Sequence, residues 1–132
     1  MILVDSNVLI DVVQKDVVWA DWSKAKLFEA QLASTLCINP IGYAELAPAF
    51  DAVDDINDFL ARAKISVTAL SRPTAYLAGL AFVKYRQLKG TKTGVLADFF
   101  IGAHAQVEGW KILTRDIARY KTYFPTVQLI HP

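Results

Sequence analysis

Short apolar runs alternate with amphipathic stretches along the whole sequence. The opening segment, Met1-Ile-Leu-Val-Asp-Ser-Asn-Val-Leu-Ile-Asp11, sets the pattern. Residues 1–4 form a continuous apolar run that ends in an acid. Such a run reads as a fully buried strand that delivers Asp5 to its C-terminal edge. Asn7 to Gln14 reads as a short helix with Val8, Ile10, Val12 and Val13 largely buried. Asp16 to Ser34 holds a second helix, in which Trp22, Ala25, Phe28 and Leu32 recur at helical spacing. Asp21, Lys24, Lys26, Glu29 and Gln31 then make its polar face. Thr35 to Ile38 is the second strand.

Asn39-Pro40 starts a helix cleanly, because Asn is a favoured N-cap and Pro suits the first helical position. That helix, about 40–49, carries Glu45, and Pro48 should end or kink it. A fourth helix, about 52–63, puts Ile56, Phe59, Leu60 and Ala63 on one face. Asp54, Asp55 and Asp58 lie toward its N-terminal end, where the helix dipole favours them. Ile65 to Leu70 reads as strand three. Pro73 opens a long helix to about Leu88, with Tyr76, Leu77, Leu80 and Val83 on the packed side and Gly90 as its C-terminal cap. Residues 89–96, Lys-Gly-Thr-Lys-Thr-Gly-Val-Leu, are a loop. Ala97 to Glu108 is apolar nearly all round and should be a central helix stopped by Gly109. Trp110 to Thr114 is strand four, Arg115 to Tyr123 a short helix with Ile117, Tyr120 and Phe124 aligned, and Val127 to Ile130 a terminal strand.

Strands that alternate with helices predict an α/β fold: a mostly parallel sheet of about five strands with helices on both faces. The helical segment between strands two and three exceeds one crossover and could form a small lobe over the sheet edge. No repeat, low-complexity tract or linker interrupts the chain, so one domain over 1–132 is expected. With 54% apolar and 20% charged residues the chain is globular, not disordered. A net charge of +1 excludes a global nucleic-acid signature, so any such surface must be local. Cys37 is the only cysteine, which rules out an intrachain disulfide and suits a reducing compartment. Met-Ile-Leu-Val-Asp has no basic segment or small-residue cleavage site, and no apolar stretch approaches the roughly 18 residues of a membrane span. A soluble cytoplasmic protein is expected.

In open α/β sheets, ligands bind at the C-terminal edge of the strands. Asp5 ends strand one, Asp98 begins the central helix, Asp116 follows strand four by two residues, and Glu45 lies in the helix after strand two. Any one of these acids could simply cap a helix. Together they are harder to explain so, since two carboxylates about 5 Å apart repel by roughly 3 kcal/mol at an effective dielectric near 20. A set of four needs protons, basic partners or metal, and oxygen-only ligands select Mg²⁺ or Mn²⁺. Pairing with Arg115 or Arg119 is the alternative remedy.

Val4-Asp-Ser-Asn-Val-Leu-Ile10, Tyr43-Ala-Glu-Leu46, Leu96-Ala-Asp-Phe-Phe-Ile-Gly-Ala-His-Ala105 and Ile112-Leu-Thr-Arg-Asp116 occur in this order over essentially the whole chain. The set resembles the PIN-domain ribonucleases, and among them the VapC toxins of toxin–antitoxin pairs. Each motif alone is weak; the ordered set is specific. The resemblance implies a PIN-like three-layer fold in which Asp5, Glu45, Asp98 and Asp116 form the catalytic, metal-binding cluster. It implies that Ser6 and Thr114 are supporting hydroxyls and that Asn7 is a polar neighbour of the first acid. It further implies Mg²⁺- or Mn²⁺-dependent cleavage of structured RNA, often transfer RNA, together with a homodimer and a small antitoxin partner. In the expected mechanism Asp5, Asp98 and Asp116 ligate one ion, and Glu45 ligates a second or orients the attacking water. Metal-bound water needs no dedicated histidine base.

Lys84, Arg86, Lys89 and Lys92 form one basic group, and Lys111, Arg115, Arg119 and Lys121 a second. Each is either a solvated helix end or an RNA phosphate contact, with Lys89, Lys92, Arg115 and Arg119 the candidates for RNA. The acids at 51–58 then belong on a remote surface. His104 falls about 240° round the helix from Asp98 and reads as a packed, hydrogen-bonded residue. Cys37 reads as a buried thiol. Trp19 and Trp22 read as core or subunit contact in preference to a base-stacking platform, and the Phe99-Phe100 pair reads as core. Tyr76, Leu77 and Leu80 serve either a dimer seam or the core. Two other functions compete: a non-catalytic PIN-like scaffold that binds RNA or protein, and a receiver-like signalling domain. The latter fits poorly, because Asp5 is followed by Ser6 and not by a second acid, strand three ends near Leu70-Ser71, and the last strand ends in His131-Pro132. No G-x-G-x-x-G follows strand one, which speaks against dinucleotide binding.

Overall fold

The computed structural model describes residues 1–92 and 94–132, so Thr93 of the expected 89–96 loop lies outside the described residues. Among those residues the strands are β1 (Ile2–Val4), β2 (Leu36–Ile38), β3 (Ile65–Val67), β4 (Lys111–Leu113) and β5 (Leu129–Ile130). They form one parallel sheet in the order β3-β2-β1-β4-β5. Successive side chains of a strand face opposite sides of a sheet. Here Ile2, Val4, Leu36, Ile38 and Leu113 enter one core, and Leu3, Cys37 and Ile112 enter another. Both faces are apolar, so both must be covered.

On the first face lie α1 (Ser6–Val13), α2 (Ala20–Ala33), α3 (Pro40–Leu46) and α4 (Val53–Arg62). On the second lie α5 (Arg72–Gln87), α6 (Leu96–Glu108) and α7 (Ala118–Tyr123). The expected three-layer α/β arrangement is therefore present. The segment between β2 and β3 is no lobe: Leu46, Ile56 and Leu60 bury into the first core. A 3₁₀ turn at Ala47–Ala49 replaces the end of the expected helix, at Pro48. Asn39 caps α3 as expected, accepting from the Gly42 N–H at 2.9 Å.

Two helices pack only partly with the face their large apolar residues indicate: Trp22 and Leu77 pack against the cores, but the other large residues of the two stripes do not. In α2, Phe28 and Leu32 are 63% and 76% exposed, while Ser23, Leu27 and Ala30 are buried. In α5, Tyr76, Leu80 and Val83 are exposed, while Thr74, Ala78, Ala81 and Tyr85 are buried. The contact faces use small residues, which let neighbouring helix backbones approach. The boundary of α2 also shifts, from Asp16 to Ala20. The Asp16 carboxylate accepts from the N–H groups of Val18 and Trp19, and so makes a turn before the helix.

Gly90 does not supply the left-handed cap of α5. That conformation belongs to Lys89, at φ 64°. Gly90 lies flat on Tyr85, where a Cβ would stand 2.3 Å from Cζ of the ring. Gly109 does end α6 in the left-handed conformation, at φ 73°. The strands are shorter than the apolar runs that announce them, β3 stopping at Val67 and β4 starting at Lys111.

Candidate active site

The chain leaves β1 toward β2 and β3, then returns at β4 on the other side of β1. The crevice between β1 and β4, at the C-terminal edge, is thus the switch point where α/β sheets bind ligands. Asp5 follows β1 and Thr114 follows β4, and the Asp5 N–H bonds the Leu113 carbonyl at 2.9 Å. Asp5 sits at the N-cap position of α1 but makes no side-chain cap bond. Its carboxylate turns inward and is 5% exposed. Oδ2 accepts from the Tyr120 hydroxyl at 2.7 Å, from Thr114 Oγ1 at 2.9 Å and from Asn7 Nδ2 at 3.3 Å. The capping alternative for this acid therefore does not apply.

Glu45, in the last turn of α3, is exposed as a residue, but its Oε1 accepts from Ser6 Oγ at 2.9 Å. Asp98, in the first turn of α6, accepts on Oδ2 from Arg119 Nη1 at 2.9 Å. The Arg119 guanidinium also lies 5.5 Å from the Tyr85 ring centroid. Asp116 is exposed just beyond β4, and its backbone N–H donates to Thr114 Oγ1 at 3.1 Å.

The carboxylates are close enough to perturb one another. Burial pushes Asp5 up, against the donations of Tyr120 and Thr114, and the charge of Asp98 adds to the rise. Burial also raises Glu45, opposed by the Ser6 bond and reinforced by Asp5 and Asp98. Burial raises Asp98, opposed by Arg119 and reinforced by Asp116. Burial and the same acids hold the Tyr120 hydroxyl well above its ordinary range, so it remains a donor. Asp5, Glu45 and Asp98 thus lie within electrostatic reach of one another, and exposed Asp116 within reach of Asp98.

Other expected residues fall elsewhere. Arg115 turns from the acids toward α1, and its Nε donates to Asp11 Oδ2 at 2.8 Å. Lys111 opens β4 and so lies at the opposite edge of the sheet, apart from the rest of its basic group. Lys89 and Lys92 are exposed, and the Lys92 N–H donates to the Tyr85 hydroxyl at 2.9 Å, which ties their loop to the ring beside Arg119. The acids of α4 and Asp51 are exposed on the first helical layer. His104 is buried, paired with Asn39 Nδ2 at 3.3 Å and tilted at 44° to the Trp110 ring; burial lowers its pKa, so it packs as expected. Cys37 is buried.

Sequence reasoning missed Tyr120 and Asp11 as polar participants. A Tyr aligned with core positions carries a hydroxyl that must find a partner when buried, which was the available signal. For Asp11 the signal was an acid among the apolar residues of α1.

The donors that meet here are carboxylate, hydroxyl and amide oxygens, a set suited to a hard cation. As placed, no three Asp, Glu, His or Cys side chains among the described residues stand close enough to hold an ion, and Arg119 occupies Asp98 Oδ2. An ion at Asp98 would compete with Arg119 for this carboxylate. A partly exposed pair is worth roughly 1 kcal/mol or less. Arg119 would therefore oppose an ion at Asp98 only weakly.

A family profile described as PIN domain matches residues 2–125. The chain belongs to the PIN-domain family. Solved structures share the PIN fold over nearly all of their length. VapBC2 from Rickettsia felis, bound to a DNA fragment from its promoter, superposes with a TM-score of 0.76 at 19% identity, covering 100% of this chain and 99% of that one. FitAcB from Neisseria gonorrhoeae gives 0.67 at 20% identity, covering 98% and 96%. A toxin–antitoxin complex from Klebsiella pneumoniae gives 0.67 at 23% identity, covering 96% and 95%. A search of curated proteins finds no significant match. No helix among the described residues is long and apolar enough to cross a membrane.

Proposed function

We propose that this PIN-domain chain, as one unit over 1–132, is a metal-dependent endoribonuclease and the toxin of a toxin–antitoxin pair. What supports the reading is the mutual electrostatic influence of Asp5, Glu45 and Asp98, with Asp116 acting on Asp98, beside the C-terminal edge of β1 and β4. These four acids would hold Mg²⁺ or Mn²⁺. The ion supplies a Lewis acid for the phosphodiester and a water of lowered pKa. Ser6 fixes Glu45, while Thr114 and Asn7 fix Asp5. Arg119, once released from Asp98, is a planar cation suited to a phosphate oxygen. Lys89 and Lys92 extend positive charge along the rim, where an RNA backbone can lie. Transfer RNA is the substrate we favour.

An antitoxin is the partner this reading requires, and the fold relatives from toxin–antitoxin complexes support it. Phe28 and Leu32 on α2, and Tyr76, Leu80 and Val83 on α5, leave apolar surface uncovered for an antitoxin and for a second copy of the chain. A cytoplasmic location fits both partners.

Mg²⁺ or Mn²⁺ is expected to raise the melting temperature. An ion at a hundred times its Kd adds about 2.7 kcal/mol, or roughly 10 °C for a chain of this size. Asp98→Asn should reduce the shift. The pH dependence follows from the acids. Asp5, Glu45 and Asp98 are all raised, so the fold binds their protons more tightly than the unfolded chain does. Their ionisation costs the metal-free fold stability above their folded pKa values, and acidification restores it. Metal needs the ionised acids, so its stabilisation should shrink as pH falls from neutral into mild acid. Equal melting in chelator and in millimolar metal at neutral pH would overturn the metal site and favour a non-catalytic scaffold.

A further inference from the structure

All the side-chain hydrogen bonds to the Asp5 carboxylate among the described residues end on the same oxygen. Tyr120 reaches Oδ2 at 2.7 Å, Thr114 at 2.9 Å and Asn7 at 3.3 Å; none ends on Oδ1. The three donors are not equivalent. Thr114 Oγ1 has one proton and two acceptors within reach, Asp5 Oδ2 and the Asp116 carbonyl at 3.1 Å. Asn7 Nδ2 has a proton for each of Asp5 and Thr114, but both contacts are long, at 3.3 Å. Among the described residues the Tyr120 hydroxyl has only Asp5, at the shortest of the three distances. Its ring is 2% exposed and packed in the second core with Phe124 and Phe99, so the hydroxyl comes from a rigid support.

We propose that Tyr120 is a positioning residue that saturates Asp5 Oδ2 and leaves Oδ1 as the single atom through which Asp5 meets a divalent cation. A carboxylate oxygen has about two lone-pair sites. With Tyr120 and Thr114 in place, Oδ2 has none to spare, and two-oxygen coordination by Asp5 would have to break the Tyr120 bond. Tyr120 also fixes the carboxylate plane, because a short bond on one oxygen from a packed ring resists rotation about the Cβ–Cγ bond. Outer partners of this kind orient the atoms that ligate a metal. Thr114 and Asn7 hold that oxygen less firmly, since Thr114 divides its one proton between two acceptors and Asn7 stands at 3.3 Å. The inference rests on the metal-site reading above, and its test separates the two.

The test is Mn²⁺ binding by the purified full chain, read from the electron paramagnetic resonance signal of free Mn²⁺, for the wild type and Tyr120→Phe. The substitution keeps the ring and removes only the hydroxyl. Circular dichroism and melting in chelator establish that the variant is folded at the titration temperature. The wild type should bind Mn²⁺, and Tyr120→Phe should bind it about 10–100-fold more weakly, the range found for lost outer partners. Binding by Tyr120→Phe at wild-type affinity would overturn the positioning role and leave the metal site standing. A wild type that binds no Mn²⁺ would overturn the metal site itself, and this inference with it. A second measurement needs no variant. In the metal-minus-apo infrared difference spectrum of the wild type, one-oxygen coordination separates the two carboxylate stretches more widely than two-oxygen coordination. A spectrum containing only the narrow, two-oxygen pattern would overturn the proposal even if Tyr120→Phe did not fold.

Discussion

Asp5→Asn is expected to lower RNA cleavage by at least about a thousandfold, while the metal-free protein becomes more stable. The two effects share one cause. Asp5 is 5% exposed, and burial and the Asp98 charge both disfavour its ionised form. An amide of the same shape relieves that penalty. Its oxygen can still accept from Tyr120 and Thr114 in the place of Oδ2. The NH₂ group then stands where Oδ1 stood, and presents protons instead of a lone pair to any cation. Metal polarisation of a phosphodiester supplies several kcal/mol of transition-state stabilisation. Each 1.4 kcal/mol is a factor of about ten in rate, which sets the thousandfold figure. Single-turnover cleavage of a defined RNA, with melting in chelator on the same samples, measures both. A variant that cleaves within tenfold of the wild type would remove Asp5 from the active site. A substitution that destabilised the chelated protein would make Asp5 a structural acid.

Arg115→Ala is expected to destabilise the fold by about 3 kcal/mol, the lower end of the cost of breaking a buried ion pair. That corresponds to a melting temperature lower by roughly 10 °C. Asp11 is only 2% exposed, and its carboxylate has two donors, Ser23 Oγ at 2.9 Å and Arg115 Nε at 2.8 Å. Without the guanidinium, a buried charge keeps one neutral donor. Arg115 also lies 5.6 Å from the Trp19 ring centroid, and so links the segment after β4 to the start of α2. The lower end of the range applies because the Arg115 side chain is 31% exposed and water can follow its removal. Urea unfolding checks the magnitude. The double variant Asp11→Asn, Arg115→Ala should recover part of the loss, because it removes the stranded charge. A loss below about 1 kcal/mol for Arg115→Ala, or no recovery in the double variant, would mean that Asp11 does not depend on this arginine.

These outcomes bear on what the sequence could show. The buried strand before Asp5 was legible because Met1 to Val4 is uninterrupted and apolar, as a strand covered on both faces requires. The same holds for α6, which is apolar nearly all round and whose residues Ile101 to Ala105 are all buried. The faces of α2 and α5 were not legible. Large apolar side chains suggested one stripe in each, yet the buried faces are Ser23, Leu27 and Ala30 in one and Thr74, Ala78, Ala81 and Tyr85 in the other. Hydropathy weights a residue by its size, whereas helix contact rewards small residues that let backbones approach. Ser23 in particular donates its proton to Asp11 where it is buried, a partnership twelve residues apart that no local pattern reports.

The candidate site divides in the same way. The sequence by itself determined that four acids follow or flank strand ends, with Ser6, Asn7 and Thr114 among them, because strand–helix alternation sets the order of elements and the order sets the edge. Only the tertiary structure decided how each acid is held. It turned Arg119 onto Asp98 and Arg115 away to Asp11, two arginines four residues apart with different partners. It also brought Tyr120, 115 residues along the chain, onto one oxygen of Asp5. Periodicity fixes which face of an element is apolar. The pairing of polar atoms depends on distances between elements far apart in the chain, which exist only once the two cores have closed around the sheet.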